Sequence, residues 1–334
     1  MQISRCPHIR AEIVGQVMRL VLDRPRSLNA HSLEMLCEIE RLLDVANERP
    51  NVKRIVISSS RSGVFCAGGD IKAVAAYSHD RQYGLVHKYF QTNKRVLSAL
   101  RSTPIEVVCL VNGICFGGGF GLSMASDIRI ATQSSSFAMP EARIGFYPDV
   151  GASHFLAQMP GSVGRRLGGE ALVLTALGAM ECGIVDHLVD EPELEATQVA
   201  LWRGAPIGEI KAPRTYGGSS ITDATKALQP SGAGSLCPTS VAVADYLLRW
   251  GNEHSIDECL EYEADISLRM ALRPDFVSGV TAVLGKRPLA SWTPDDVDPR
   301  ELAQILSCPL EVAREFAGEA GKALSVMSSD HPGF

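Results

Sequence analysis

The residues with most to offer chemically lie between positions 113 and 149. Gly113-Ile114-Cys115-Phe116-Gly117-Gly118-Gly119-Phe120-Gly121 follows an apolar run of strand length. A triple glycine that ends a strand and opens a helix presents bare backbone N–H groups at a helix N-terminus. Such groups, aided by the helix dipole, bind negative charge as it develops on a carbonyl oxygen. The duller alternative is a tight packing turn without chemistry. Phe65-Cys66-Ala67-Gly68-Gly69-Asp70 carries a second glycine pair after another strand, where an amide facing a cleft and an ordinary loop cap are both open readings. Glu141 follows Pro140 and Asp149 follows Pro148, in a segment that Gly145 and Gly151 keep from being one regular helix. Two carboxylates on a looping chain can converge, and burial would hold one of them ready as a base or nucleophile. A lone acid is usually a solvated surface residue, but here two follow directly on the glycine run.

Other chemistries fail on spacing. A dinucleotide fingerprint beginning at Gly117 and Gly119 would need glycine where Leu122 stands, and no Gly-x-x-x-x-Gly-Lys-Ser/Thr is present. Gly121-Leu122-Ser123-Met124-Ala125 ends in alanine where a nucleophile elbow needs glycine, so Ser123 reads as a buried helical residue. His154 and His187 lack triad or metal spacing and read as structural. The nine cysteines include no C-x-x-C and no Cys/His cluster at zinc spacing. No metal site is expected, and a reduced, intracellular protein is.

The elements that must position these residues alternate between strands and helices. His8 to Val14 and Gln16 to Leu22 predict a hairpin around Gly15. Leu36, Ile39, Leu43 and Ala46 recur at helical spacing after a Ser32 cap. Lys53 to Ser58 predicts a buried strand, Leu85 to Leu100 a helix, Ile105 to Val111 a strand, Leu122 to Ala125 a short helix and Ile128 to Ala131 another strand. This order predicts an α/β class with much parallel pairing. Residues 1–195 read as a catalytic core. Residues 196–238 form a connection dense in Gly, Pro and Ser, and 239–334 a helical C-terminal region, with helices over Ser240 to Trp250, Ile256 to Arg269, Phe276 to Leu284 and from Glu311 onward.

At 334 residues and 46% hydrophobic, the chain can bury a substantial core. Its net charge of −6 argues against a general nucleic-acid binder, so an anionic ligand would need a local basic patch. No stretch approaches the roughly 20 apolar residues of a membrane span, and the first ten residues lack the apolar core of a leader. A cytoplasmic protein without membrane or nucleic-acid partners is expected.

Set in order, these pieces resemble the crotonase superfamily of acyl-CoA enzymes. The resemblance rests on Leu22-Asp23-Arg24-Pro25-Arg26-Ser27-Leu28-Asn29-Ala30, the Phe65 to Lys72 segment, Val111 through Gly121, Ala125 to Ala131 and Phe137-Ala138-Met139-Pro140-Glu141. It implies a core of repeated ββα units and an oxyanion hole built from the Gly69 and Gly118 N–H groups. It further implies a coenzyme A site at Arg24, Arg26, Ala30, Ala67 and Ile71, the two arginines near the phosphates. Gly121 would line the substrate pocket where hydratases carry their first glutamate, which leaves Glu141 and makes water addition by two glutamates a poor match. Met139 to Gly151 resembles the 3-hydroxyisobutyryl-CoA hydrolases of the superfamily, as do Cys237 to Ser240, Glu258 to Glu263 and Arg273 to Val280. That resemblance implies hydrolysis of a short, branched 3-hydroxyacyl-CoA in valine catabolism, with Glu141 as nucleophile or base and Asp149 orienting substrate or water. Coenzyme A enters as part of the substrate, no separate cofactor is implied, and a homotrimer or hexamer is the family's habit. The rivals are an enoyl-CoA isomerase or hydratase using Glu141, and a non-catalytic acyl-CoA-binding protein.

Overall fold

The computed structural model describes residues 2–209, 228–230, 235–285, 292 and 297–330. Most of the Gly/Pro/Ser-rich connection, at 210–227 and 231–234, lies outside the described residues. The chain divides into two compact units, one of Met1–Asp70, Thr92–Ala138 and Leu174–Leu228, the other of Ile71–Gln91, Met139–Val173 and Gln229–Phe334.

The first unit is built on a six-stranded sheet in the order Ile9–Val14, Val17–Leu22, Arg54–Ser59, Glu106–Val111, Ile128–Thr132 and His187–Val189. Only the first pair is antiparallel. It is the predicted hairpin, closed by a two-residue loop in which Gly15 takes φ 60. The other pairs are parallel, and their strands are correspondingly apolar and buried. Val17, Val56, Val108, Leu110, Ile130, Val189 and Leu201 form one cluster, with Leu194 and Trp202 packed against it. The Leu33–Asn47 helix begins where the Ser32 hydroxyl accepts the Met35 N–H at 3.2 Å, the expected cap.

Three short parallel strands, Val64–Cys66, Ile114–Phe116 and Ser136–Ala138, form part of a second sheet. Each follows a strand of the large sheet and leads into a helix or helical turn. These are the repeated ββα units that the resemblance implied, and they place Gly69 and Gly118 after paired strands. Gly113 takes φ 102 between two such strands, and a Cβ there would lie 2.1 Å from the Gly63 carbonyl oxygen. Replacing Gly113 by Ala is expected to cost more than about 2 kcal/mol, read as a lowered denaturation midpoint; an unchanged midpoint would show that the loop can move aside.

The helix after the triple glycine starts earlier than Leu122. It spans Gly118–Met124. A Cβ on Gly119 would lie 2.6 Å from Cys66 Cβ, so the helix packs against the neighbouring strand too closely for any side chain at that point.

The second unit is mostly helical. Pro238–Gly251, Ile256–Ala271, Pro274–Leu284, Pro299–Leu306 and Leu310–Asp330 cover the predicted C-terminal helices. Phe146 is central, its ring 5.6 Å from Phe90, 5.1 Å from Tyr147 and 5.4 Å from Phe276. These aromatic contacts fix the segment that carries Glu141 and Asp149 against its own unit. Among the described residues no helix is long and apolar enough to cross a membrane.

Candidate active site

Each unit carries one part of the predicted machinery. In the first, His31 and Gly69 form a parallel bridge: the His31 N–H donates to the Gly68 carbonyl and the Asp70 N–H donates to the His31 carbonyl, both at 2.9 Å. That pairing uses the groups flanking Gly69 and turns its own N–H to the opposite side. Gly118 lies close by, where a Cβ on it would be 3.2 Å from the Gly69 nitrogen. Gly118 is also the first residue of its helix, where an N–H has no intrahelical acceptor. Among the described residues neither amide donates to a backbone carbonyl in a turn or loop. Two donors side by side, one at a helix start, are what an oxyanion seat requires.

The Arg24 to Ala30 segment braces this seat. Asn29 is fully buried with φ 56. Its side chain accepts the Arg24 N–H at 2.9 Å and donates to Ser59 Oγ at 2.8 Å and the Phe65 carbonyl at 3.0 Å. The Ala67 N–H donates to the Leu28 carbonyl at 3.0 Å, so Ala30 and Ala67 are brought together with Gly69. The Arg24 guanidinium donates to the Ala30 carbonyl at 3.0 Å and pairs with Asp70 at 2.7 Å. Its charge is thus partly spent within the protein, whereas Arg26 is exposed. Gly121 is buried within the Gly118–Met124 helix. Ser123 is buried too, donating to the Phe120 carbonyl at 2.8 Å, as a structural residue would. Asp127 accepts the Val107 N–H at 2.8 Å and ties two strands.

Beneath the glycines, the Cys66 Sγ lies 3.3 Å from His31 Nε2. Burial pushes the thiol up to about 12 and the imidazole down to about 4. A neutral pair of this kind packs; it is no activated nucleophile.

In the second unit, Glu141 opens a helical turn, Glu141–Ile144, that ends at Gly145 with φ 71. Its carboxylate is buried and Oε2 has no hydrogen-bond partner among the described residues. Asp149 is equally buried, and from another side chain among the described residues it receives a long hydrogen bond, from Ser267 Oγ at 3.4 Å. Burial first, and then the charge of Asp149, raises the Glu141 carboxyl well above its ordinary range. Burial and then Glu263 push Asp149 up to about 8. The two acids therefore do come together electrostatically. Ile71 opens the Ile71–His79 helix, half-buried.

Glu263 lay within a motif of the sequence, but no role was predicted for it. It is 2% exposed, and burial raises it to about 7 against the pull of three hydrogen bonds. The available signal was an acid on the apolar face of the Ile256–Ala271 helix, among buried Cys259, Leu260, Ile266 and Ser267.

The family model for enoyl-CoA hydratase/isomerase matches residues 17–216 and 219–306. The chain belongs to the enoyl-CoA hydratase/isomerase family. It is 29% identical to the mitochondrial 3-hydroxyisobutyryl-CoA hydrolase of Xenopus laevis over 86% of this chain and 85% of that protein. Against 3-hydroxyisobutyryl-CoA hydrolase 1 of Arabidopsis thaliana it is 35% identical over 58% of this chain, which spans about half, 51%, of that relative. It is also 31% identical to the small ribosomal subunit protein mS47 of Schizosaccharomyces pombe, over 79% of this chain and 71% of that one. Among solved structures, an enoyl-CoA hydratase from Rhodobacter sphaeroides 2.4.1 superposes with a TM-score of 0.78 at 26% identity, covering 90% of this chain and 97% of the other. The family and the fold are thus shown for this chain.

The three buried acids carry a stability consequence. A carboxyl whose folded value is raised holds its proton where the unfolded chain has released it. Its contribution is complete below the ordinary carboxylate range and is lost as pH rises through about 7 for Glu263 and about 8 for Asp149. The denaturation midpoint should fall between about pH 5 and about pH 9, and fall less in Asp149→Asn. Equal slopes in the two proteins would contradict the raised carboxyl.

Proposed function

We propose that the protein hydrolyses a short, branched 3-hydroxyacyl-CoA thioester to the free acid and coenzyme A. The observation that carries this reading is the buried acid pair Glu141 and Asp149, with glycine at 121. A hydratase of this family would place its first glutamate there. The near full-length similarity to a 3-hydroxyisobutyryl-CoA hydrolase supports the same acyl class, and with it a place in valine breakdown.

In this proposal the Gly69 and Gly118 N–H groups receive the thioester oxygen, each donor contributing roughly 3 to 4 kcal/mol as charge develops. Glu141, with one oxygen unpartnered, attacks the carbonyl or takes a proton from attacking water. Collapse of the tetrahedral intermediate breaks the C–S bond and releases coenzyme A; where Glu141 is the nucleophile, water then cleaves the mixed anhydride to give the free acid and restore the carboxylate. Asp149, poor in donors and raised by burial, is protonated at neutral pH. It is suited to bind the substrate hydroxyl and to return a proton to the departing sulfur. Arg26 and the Ala30, Ala67 and Ile71 surfaces serve coenzyme A.

A pH dependence follows. Glu141 must ionise to act, and burial holds its carboxyl up, with the charge of Asp149 adding to this only once that acid has lost its proton. The rate of thiol release should therefore still be rising well above the ordinary carboxylate range, and fall again as Asp149 loses its proton near about 8. A profile flat from about pH 5 upward would remove Glu141 from the role of ionised base.

The ribosomal relative favours a second reading, in which the fold serves assembly and not catalysis. A panel of short acyl-CoAs, with and without a 3-hydroxyl and a 2-methyl group, separates the two. The hydrolase reading expects thiol release greatest for the branched 3-hydroxy compound; release from none of the panel would support the assembly reading.

A further inference from the structure

The turn carrying Asp149 is held from both sides by one face of the Ile256–Ala271 helix. The Glu263 carboxylate accepts the Gly151 N–H at 2.6 Å, the Ser153 N–H at 2.9 Å and the Ser153 hydroxyl at 2.5 Å. The Glu263 backbone carbonyl accepts the Tyr147 hydroxyl at 2.7 Å. One helical turn on, Ser267 Oγ lies 2.9 Å from Tyr147 Oη and donates to Asp149 Oδ2 at 3.4 Å. Tyr147 precedes Asp149 by two residues, and Gly151 and Ser153 follow it by two and four.

The turn needs such a grip. Val150 and Gly151 take φ 60 and φ 85 in succession. A β-branched residue in the left-handed region persists only where its surroundings over-determine it. The Glu263 carboxylate also sits at the N-terminus of the short Ala152–Phe155 helix and satisfies two of its orphan donors.

The distribution of donors decides which acid carries charge. Among the described residues Glu263 accepts three hydrogen bonds of 2.5 to 2.9 Å, whereas Asp149 has its own backbone N–H and the long bond from Ser267, so the anion resides on Glu263 and the proton on Asp149. The other titratable groups facing them are Glu141 and Tyr147 from the same segment, and Cys259 and Tyr262 from the helix. Burial raises Cys259 to about 11 and raises both tyrosines, so these three stay neutral. Glu141 alone competes for the charge.

We propose that Glu263 is a positioning residue for Asp149: a buried anion that clamps the turn behind it and keeps it protonated and aimed as a proton donor. Its catalytic meaning rests on the hydrolase reading, but its effect on Asp149 does not.

The test is the carboxyl-carbon NMR titration of Asp149, assigned with Asp149→Asn, in the wild type and in Glu263→Gln. Glutamine removes the charge and presents an amide to the Gly151 N–H. The Asp149 midpoint should drop by about one pH unit or more, and kcat for thiol release by about tenfold or more with KM within about threefold. Glu263→Asp, which restores the charge, should return the midpoint towards the wild-type value. Should Glu263→Gln not fold, Ser153→Ala serves in its place, since it removes the hydroxyl that donates to the Glu263 carboxylate. Losing that donor weakens the hold on the Glu263 anion and should move the Asp149 midpoint downward. An Asp149 midpoint unmoved by the variant overturns the proposal, whatever happens to stability. A wild type that releases no thiol overturns the hydrolase reading alone, while the midpoint still decides the role of Glu263.

Discussion

Glu141→Gln slows thiol release from a 3-hydroxyacyl-CoA by about 100- to 10,000-fold, the span expected for loss of a positioned general base, and leaves coenzyme A binding intact. The loss falls on kcat, because an amide can neither attack the thioester nor take a proton from water. The change is nearly isosteric in a buried position, so packing is preserved. Stability should not suffer at about pH 8, since the variant removes a buried carboxylate with an unpartnered oxygen. Stopped assays of thiol release and a denaturation scan read the two effects separately. Near-wild-type turnover in this variant would contradict the assignment of Glu141.

Gly118→Ala is expected to lower kcat/KM by about 100- to 1,000-fold while shifting the denaturation midpoint little. The added methyl would sit 3.2 Å from the Gly69 nitrogen and 3.7 Å from His31 Nδ1. It therefore crowds the donor that the oxyanion would approach, without demanding a large movement of the fold. A stable variant with full activity would show that the thioester oxygen is bound elsewhere. A variant that merely unfolds would show that the close approach of Gly118 to Gly69 serves packing.

Much of this architecture was legible in the chain because local pattern and tertiary structure agree. The Gly15 hairpin, the Ser32-capped helix and the apolar strand before Gly113 each carry their own signal: a turn residue, a cap, a run of β-branched side chains. Glu141 and Asp149 were legible as a pair because prolines and glycines keep their segment from forming a helix. The start of the helix at Gly118 was not, since glycine's low helix propensity reads as loop until the close packing of Gly119 on Cys66 is known. The pairing of Arg24 with Asp70 was likewise hidden. It depends on a strand crossing that no local spacing encodes, and it changes the basic patch by leaving Arg26 as the exposed arginine of the pair. Glu263 was obscured by its own helix, whose apolar period explains every neighbour and gives no reason to look for a partner more than a hundred residues earlier in the chain.

The absence of a hydratase glutamate at 121 and the presence of Asp149 beside Glu141 make one measurement decisive. The purified protein is given a branched 3-hydroxyacyl-CoA and, separately, an unsaturated enoyl-CoA, with free thiol and the conjugated enone followed in both. Rapid thiol release from the hydroxy compound, dependent on Glu141, is expected, with little loss of the enone. Loss of the enone without thiol release from either compound would contradict this expectation.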